Sequence, residues 1–576
     1  MVLALCMIIA SVSMPAAAFS LDAENTNSTI FINGARVQIE GYNINGYNYF
    51  KIRDLANALH DTSSQFDVTW NAAEEQIELS TRTPYSAYAP PENSWRYYSR
   101  GSADPTTAAL LVDGARKDFT AYNIEGNNYF RLRDMAEVVP FYVDWSEENN
   151  AIFITTRLSD LAFRGEYSGV GRTDGRMTVG HSTARTGAAQ KSALYKHGNG
   201  FVAIDARDMI RVDSYDSNFR LTGTKELPFE LELFGAFYSG ERYNYIAFGQ
   251  ENSEENDNKE VIRIVKYDKD FNRIDSAAVR DCYTIVPFDF TASRMSESGN
   301  ELVLHTARLR YLTEDGLNHQ SQLTVVVDTN TMNVTNANAL GRFQSNHVSH
   351  SFNQFVQFDG NAHVLVDHGD AYPRSVVVNK GAASRGYDEA DLFDIAGPIG
   401  ANYTGVAVGG FEVSDKNYLV AINSVNQSRL AAAWGRGSAN PSSVSGAQPN
   451  NAEEFNERDI IICVIPKTFT RSTTARQISL TNYIGNQKLA SAPYLVKISD
   501  GEFVALWQEF NTGDAATTDP SLLKYAKLTG AGEMIGTAQT IENAYLSADC
   551  QPIWDGGAIV WFVDDSLART FFKLNI

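Results

Sequence analysis

The chain has 576 residues, 48 Lys+Arg against 69 Asp+Glu, a formal net charge of −21, and a hydrophobic content of 43%. That apolar content excludes a disordered chain. The acidity, shared by both halves, excludes nucleic acid or an anionic membrane surface as the main partner, because those need clustered Lys and Arg.

Residues 1–18 are uncharged and apolar and end in Ala16-Ala17-Ala18, the small-residue pattern of a secretory signal peptide. The first cation is Arg36, so the usual basic start is missing. No later window is long and apolar enough to span a membrane. Cys282, Cys463 and Cys550 follow the leader without disulfide or metal spacing and read as small buried hydrophobes. These features predict a protein secreted to, or held at, the cell surface of a bacterium.

A repeat follows. Tyr42–Ala56 (YNINGYNYFKIRDLA) recurs eighty residues on as Tyr122–Ala136 (YNIEGNNYFRLRDMA). Upstream, Asn33–Arg36 matches Asp113–Arg116; downstream, Val68–Trp70 matches Val143–Trp145. Asn-Gly and Asp-Gly pairs between alternating apolar residues predict hairpins. The stretch Tyr49–Leu59 has helical spacing, with Phe50, Leu55 and Leu59 on one face. Trp70 and Trp145, in the closing hairpins, read as core residues. Both copies resemble the copper amine oxidase N-terminal domain, also called the stalk domain. The resemblance implies two small α+β modules of the kind carried by secreted and surface proteins. It does not carry the oxidase chemistry over. That family forms its quinone from a Tyr in an Asn-Tyr-Asp/Glu context and binds copper through a His-x-His pair and a third His. Here Thr404 follows Asn402-Tyr403, Ile484 follows Asn482-Tyr483, and no His-x-His occurs. The expected organisation is signal peptide 1–18, stalk module 19–83, Pro-rich linker 84–105, second stalk module 106–158, and a large β region 159–576.

That β region shows a recurring unit: a turn residue, then an apolar strand. The turns fall at Gly200, Gly240, Gly299, Gly360, Lys416, Gly501 and Gly556. Ile210–Phe219 (IRVDSYDSNF) is repeated as Ile262–Phe271 (IRIVKYDKDF), with Val325–Met332 a weaker third copy. The pattern predicts a β-propeller of seven blades. Its last blade lacks a fourth strand, which Leu161–Tyr167 would supply. Gly437–Glu457 reads as an inserted loop. The fold class is therefore mainly β: two stalk modules, then a propeller.

Four histidines fall close together: His347, His350, His363 and His368. In the propeller reading His363 lies in a strand and packs. His347 and His350 lie on one loop, and His368, Asp370 and Arg374 on another at the same face. These five are the expected ligand-binding residues, suited to an anionic or hydroxyl-rich ligand through charge-assisted hydrogen bonds; whether they hold a metal is left open. With no Gly-x-Ser-x-Gly elbow, P-loop or dinucleotide fingerprint, no catalytic residues or cofactor are assigned. The expected function is a monomeric, non-catalytic surface protein whose stalk presents a propeller to an extracellular glycan, peptide or protein. The alternative is a secreted polysaccharide lyase or hydrolase with its site around blade four.

Overall fold

The computed structural model describes residues 20–576 except 33–34, 61, 63, 90–100, 140, 147–149, 157–160, 166–174, 184–186, 338–348, 350–352, 383–385, 436–447, 453–454, 513–521 and 565–568. The signal-peptide reading lies outside the described residues. The chain divides into two compact units, residues 1–158 and 159–576.

In the first unit the two sequence copies exchange strands. Six strands close a barrel in the order Leu21–Asn25, Gly41–Ile44, Tyr47–Lys51, Asn127–Arg131, Ala121–Ile124 and Gly101–Pro105. The copies meet at equivalent residues: Phe50 pairs with Phe130, and Asp22 with Ser102. Each copy's closing hairpin pairs with the other's opening hairpin, Gln76–Thr81 running parallel to Ala109–Val112 and Ala151–Thr156 parallel to Thr29–Ile32. One core draws Ile30, Phe50, Leu55, Leu110, Phe130 and Phe141 from both copies. The reading of two separate modules joined by a linker thus gives way to one interlocked unit, because each copy's closing hairpin pairs with the other's opening hairpin and both copies fill one core. Gly101–Pro105, expected as linker, is a barrel strand.

Two further details differ. Tyr47–Lys51 is extended and the helix begins at Ile52 (Ile52–Ala58), although Phe50, Leu55 and Leu59 are all buried as their spacing predicts. Trp70 and Trp145 are 45% and 39% exposed. Trp70 shares strand parity with buried Phe66 and Val68 and pairs with buried Ile77, but lies at the hairpin end and stays partly in solvent.

The second unit is a β-propeller. Seven sheets of four or five strands follow one another along the described chain. The seven strands expected after the turn residues are the second strands of these sheets, for example Gly200–Ala206, Ala362–His368 and Asn417–Ser424. They are buried on both faces, so they read as continuous apolar runs. The repeated Asp216 and Asp268 each turn the chain by accepting two backbone N–H groups, from Asn218 and Arg220 and from Asp270 and Asn272. The last sheet has three strands from the C-terminus, and Ala162–Gly165 pairs with Arg569–Asn575 as its fourth. That strand covers an edge otherwise open to pairing with another chain. Apolar clusters join sheet to sheet, and one holding Phe201, Phe219, Phe562 and Phe571 joins the last sheet to the first. Beside it, buried Arg569 bridges Asp564 (2.8 Å) and, across the closure, Asp213 (3.2 Å). Cys282, Cys463 and Cys550 are free and buried, as expected.

Candidate functional site

The fourth sheet runs Gln354–Asp359, Ala362–His368, Ser375–Ala382, Gly386–Asp394. His363 is buried within its strand, bonded to Tyr387 (2.8 Å) and Glu301, a packing role as its position suggested. Of the five expected ligand-binding residues, His347 and His350 lie outside the described residues. His368, which ends the second strand, is brought together with Asp370 and Arg374 on the loop to the third, and all three are buried.

Arg374 holds that loop. Its Nη1 donates to the carbonyls of Asp370 (3.1 Å) and Ala401 (2.5 Å), its Nη2 to Ala396 (3.0 Å) and Tyr403 (2.7 Å), and its Nε to Ala396 (3.2 Å). The guanidinium therefore ties the loop to the connection between the fourth and fifth sheets. Burial lowers its pKa to about 10, a loss only partly offset by Asp370. The Ser349 hydroxyl donates to Asp370 Oδ1 at 3.2 Å, which adds the connection from the third sheet. Burial pushes His368 down to about 3, partly countered by Asp370, so its imidazole is neutral at physiological pH. Gly397, at φ +123°, leaves space that a side chain would take: a Cβ there would meet Trp434 Nε1 at 2.6 Å and Arg374 Nη2 at 2.9 Å. Trp434 belongs to the helix Gln427–Gly435, which precedes the stretch Gly437–Glu457 read as an inserted loop and which the sequence reading did not mark. On this braced scaffold one side chain projects: Tyr372 is 72% exposed.

A second concave region went unread in the sequence. A cavity of about 740 Å³ runs along the propeller axis, lined by a strand from each of the seven sheets. Arg294 lies over the Phe355 ring at 5.0 Å, and burial lowers its pKa to about 10. Glu412 accepts a 3.1 Å hydrogen bond from Gln357 Nε2; burial raises its pKa to about 7, against the opposing pull of Gln357 and Lys497. Burial also raises Glu297, which accepts a bond from the Tyr245 hydroxyl (3.1 Å). The available signal was a single carboxylate, Glu412, in the otherwise apolar first strand Val406–Val413 (VAVGGFEV). Gly409 marks how closely the fifth and sixth sheets approach here: a Cβ would lie 2.1 Å from the Pro493 carbonyl oxygen.

Among the described residues no three His, Cys, Asp or Glu side chains group as metal ligands, and no helix is long and apolar enough to cross a membrane. No family model and no curated protein matches the chain. Matching solved structures include the α-L-arabinanase of Penicillium chrysogenum complexed with arabinobiose, at 10% identity over 71% of this chain and 99% of that one, TM-score 0.32. They also include the N-terminal domain of Nup159, at 9% over 72% and 99%, TM-score 0.33, and the hemagglutinin-neuraminidase of parainfluenza virus 5, at 7% over 67% and 95%, TM-score 0.32. At these scores the assignment to the propeller class rests on the sheet order itself.

Proposed function

We propose that this is a secreted or cell-surface bacterial protein of the non-catalytic binding kind. Its N-terminal repeat unit serves as a stalk of the copper amine oxidase N-terminal type, and its propeller binds an extracellular glycan, peptide or protein. The observation that carries this reading is the braced loop of the fourth sheet. Five hydrogen bonds from Arg374 order it in advance, and it holds the Tyr372 ring out in solvent. A pre-ordered loop presenting a rigid aromatic group loses little entropy on binding. In this reading His368, Asp370 and Arg374 shape the ligand-binding loop, and His347 and His350 belong to the connection beside it.

Glu412 favours a second reading, a polysaccharide lyase or hydrolase. A carboxyl poised at about 7 suits acid–base work near neutral pH. Incubation with neutral and uronate-containing polysaccharides separates the two. The binding reading predicts no new reducing ends and no unsaturated products. Turnover abolished by His350→Ala or Glu412→Gln would replace it with the enzyme reading.

A further inference from the structure

The N-terminal unit carries a groove with no part in the propeller reading. A cavity of about 810 Å³ opens where the hairpin of Gly41–Ile44 and Tyr47–Lys51 faces Leu132–Met135 and the closing hairpin of the second copy. Two aromatic side chains border it, Tyr47 (57% exposed) and Trp145 (39% exposed). Arg131 lies over the Tyr47 ring at 5.2 Å and is itself fixed by a 2.9 Å bond to Asp134. The lining is rich in amides: Asn25, Asn27, Asn43, Asn48 and Asn150 all face the cavity.

Several of those amides are already oriented. Asn43 Nδ2 donates to Asn48 Oδ1 at 3.1 Å, while Asn43 Oδ1 accepts from the Gly46 N–H at 3.1 Å. Asn150 Nδ2 donates to the Asn27 carbonyl at 3.2 Å. Among the described residues the charged groups of the lining cancel, Glu24 and Asp134 against Arg131 and Arg133.

We infer that this groove binds a neutral oligosaccharide, with sugar rings stacked on Tyr47 and Trp145 and hydroxyls bonded to the asparagine amides. A pyranose offers an apolar C–H face to an aromatic ring, and its hydroxyls both donate and accept, as an amide does. Oriented amides lose little entropy in pairing with it. A ligand carrying carboxylates would upset a lining already balanced in charge. The repeat supplies an internal comparison. Asn127 stands where the first copy has Tyr47, and Trp70 where the second has Trp145. The matching surface therefore carries one ring of the two.

The test titrates the full-length protein with cellohexaose, with the hexamer of N-acetylglucosamine and with trigalacturonate. At least one neutral hexamer binds, and trigalacturonate binds more weakly. Tyr47→Ala and Trp145→Ala each weaken binding by about tenfold or more, one lost stacking contact apiece. Tyr47→Phe and Trp145→Phe keep a ring and stay within about threefold, and Trp70→Ala stays within about twofold. The inference is overturned if neither neutral hexamer binds or trigalacturonate binds best. It also falls if Tyr47→Ala and Trp145→Ala bind as the unaltered protein does, which would place the sugar elsewhere, or if Trp70→Ala loses as much as Trp145→Ala.

Discussion

Replacing Glu412 by Gln should stabilise the propeller, and only above acidic pH. In the folded protein burial raises the Glu412 carboxyl from 4.5 to about 7. Between those values the folded state binds a proton that the unfolded state has released, so stability falls as pH rises through this window. Each pKa unit corresponds to about 1.4 kcal/mol, which makes the full penalty about 3 kcal/mol once pH exceeds the folded pKa. The amide that Glu412→Gln introduces carries no ionisation penalty, keeps the volume, and retains an oxygen to accept from Gln357. Unfolding entropy of about 2.1 cal/mol/K per residue, summed over the unit of residues 159–576, turns about 3 kcal/mol into a rise of about 3 °C in Tm. Scanning calorimetry of both proteins at pH 8 and at pH 4.5 reads this directly. The gain should appear at pH 8 and shrink to nothing at pH 4.5. An equal shift at both pH values, or none at pH 8, would refute the reasoning.

Asp359 has the opposite sign. Burial raises its pKa, but hydrogen bonds from Lys467, Tyr418 and Lys380 outweigh that and hold it at about 2, below the ordinary 3.8. Its stabilisation, about 2 kcal/mol, is present above pH 4 and lost as pH falls toward 2. Asp359→Asn should therefore cost about that much at pH 7 in a thermal melt, with the difference narrowing through this acid window. Arg569→Met should cost about 3–5 kcal/mol, because it leaves Asp213 and Asp564 buried without their shared cation. A Tm lowered by less than about 1 °C would show that the closure does not depend on that ion cluster. A chain starting at Lys191 lacks Ala162–Gly165 and should aggregate, whereas one starting at Ser159 stays soluble. Equal light scattering from the two would remove the closing strand from the account.

The propeller was legible because its strongest signal is local. Second strands such as Gly200–Ala206 and Asn417–Ser424 carry a run of four or five consecutive apolar residues close after a turn residue, so each marks its sheet without reference to any other. Even the closing strand could be placed, since three strands at the C-terminus leave one edge open. The exchange between the N-terminal copies was not legible. Near-identical hairpins can pair within a copy or across copies with the same side chains inward, and only the shared core around Phe50 and Phe130 decides between them. The helix Gln427–Gly435 was hidden by its Ser/Asn-rich flank. At the candidate site the residue types were read, but not their use. Arg374 in a charged loop suggests an offered cation, whereas four backbone carbonyl oxygens engage its guanidinium. Glu412 and Arg294 are charges on short strands, and only ring closure brings those strands together around one channel.

Recognition without turnover at the braced loop can be read in a single binding experiment. The most direct measurement applies the full-length protein carrying Tyr47→Ala and Trp145→Ala, with and without Tyr372→Ala, to an array of neutral oligosaccharides, uronate-containing oligosaccharides and peptides, so that the N-terminal groove does not contribute, then weighs the recovered ligand by mass spectrometry. One ligand class should be retained at unchanged mass, and Tyr372→Ala should weaken its retention by about tenfold. Ligand recovered in shortened or unsaturated form, or retention indifferent to Tyr372→Ala, would contradict it.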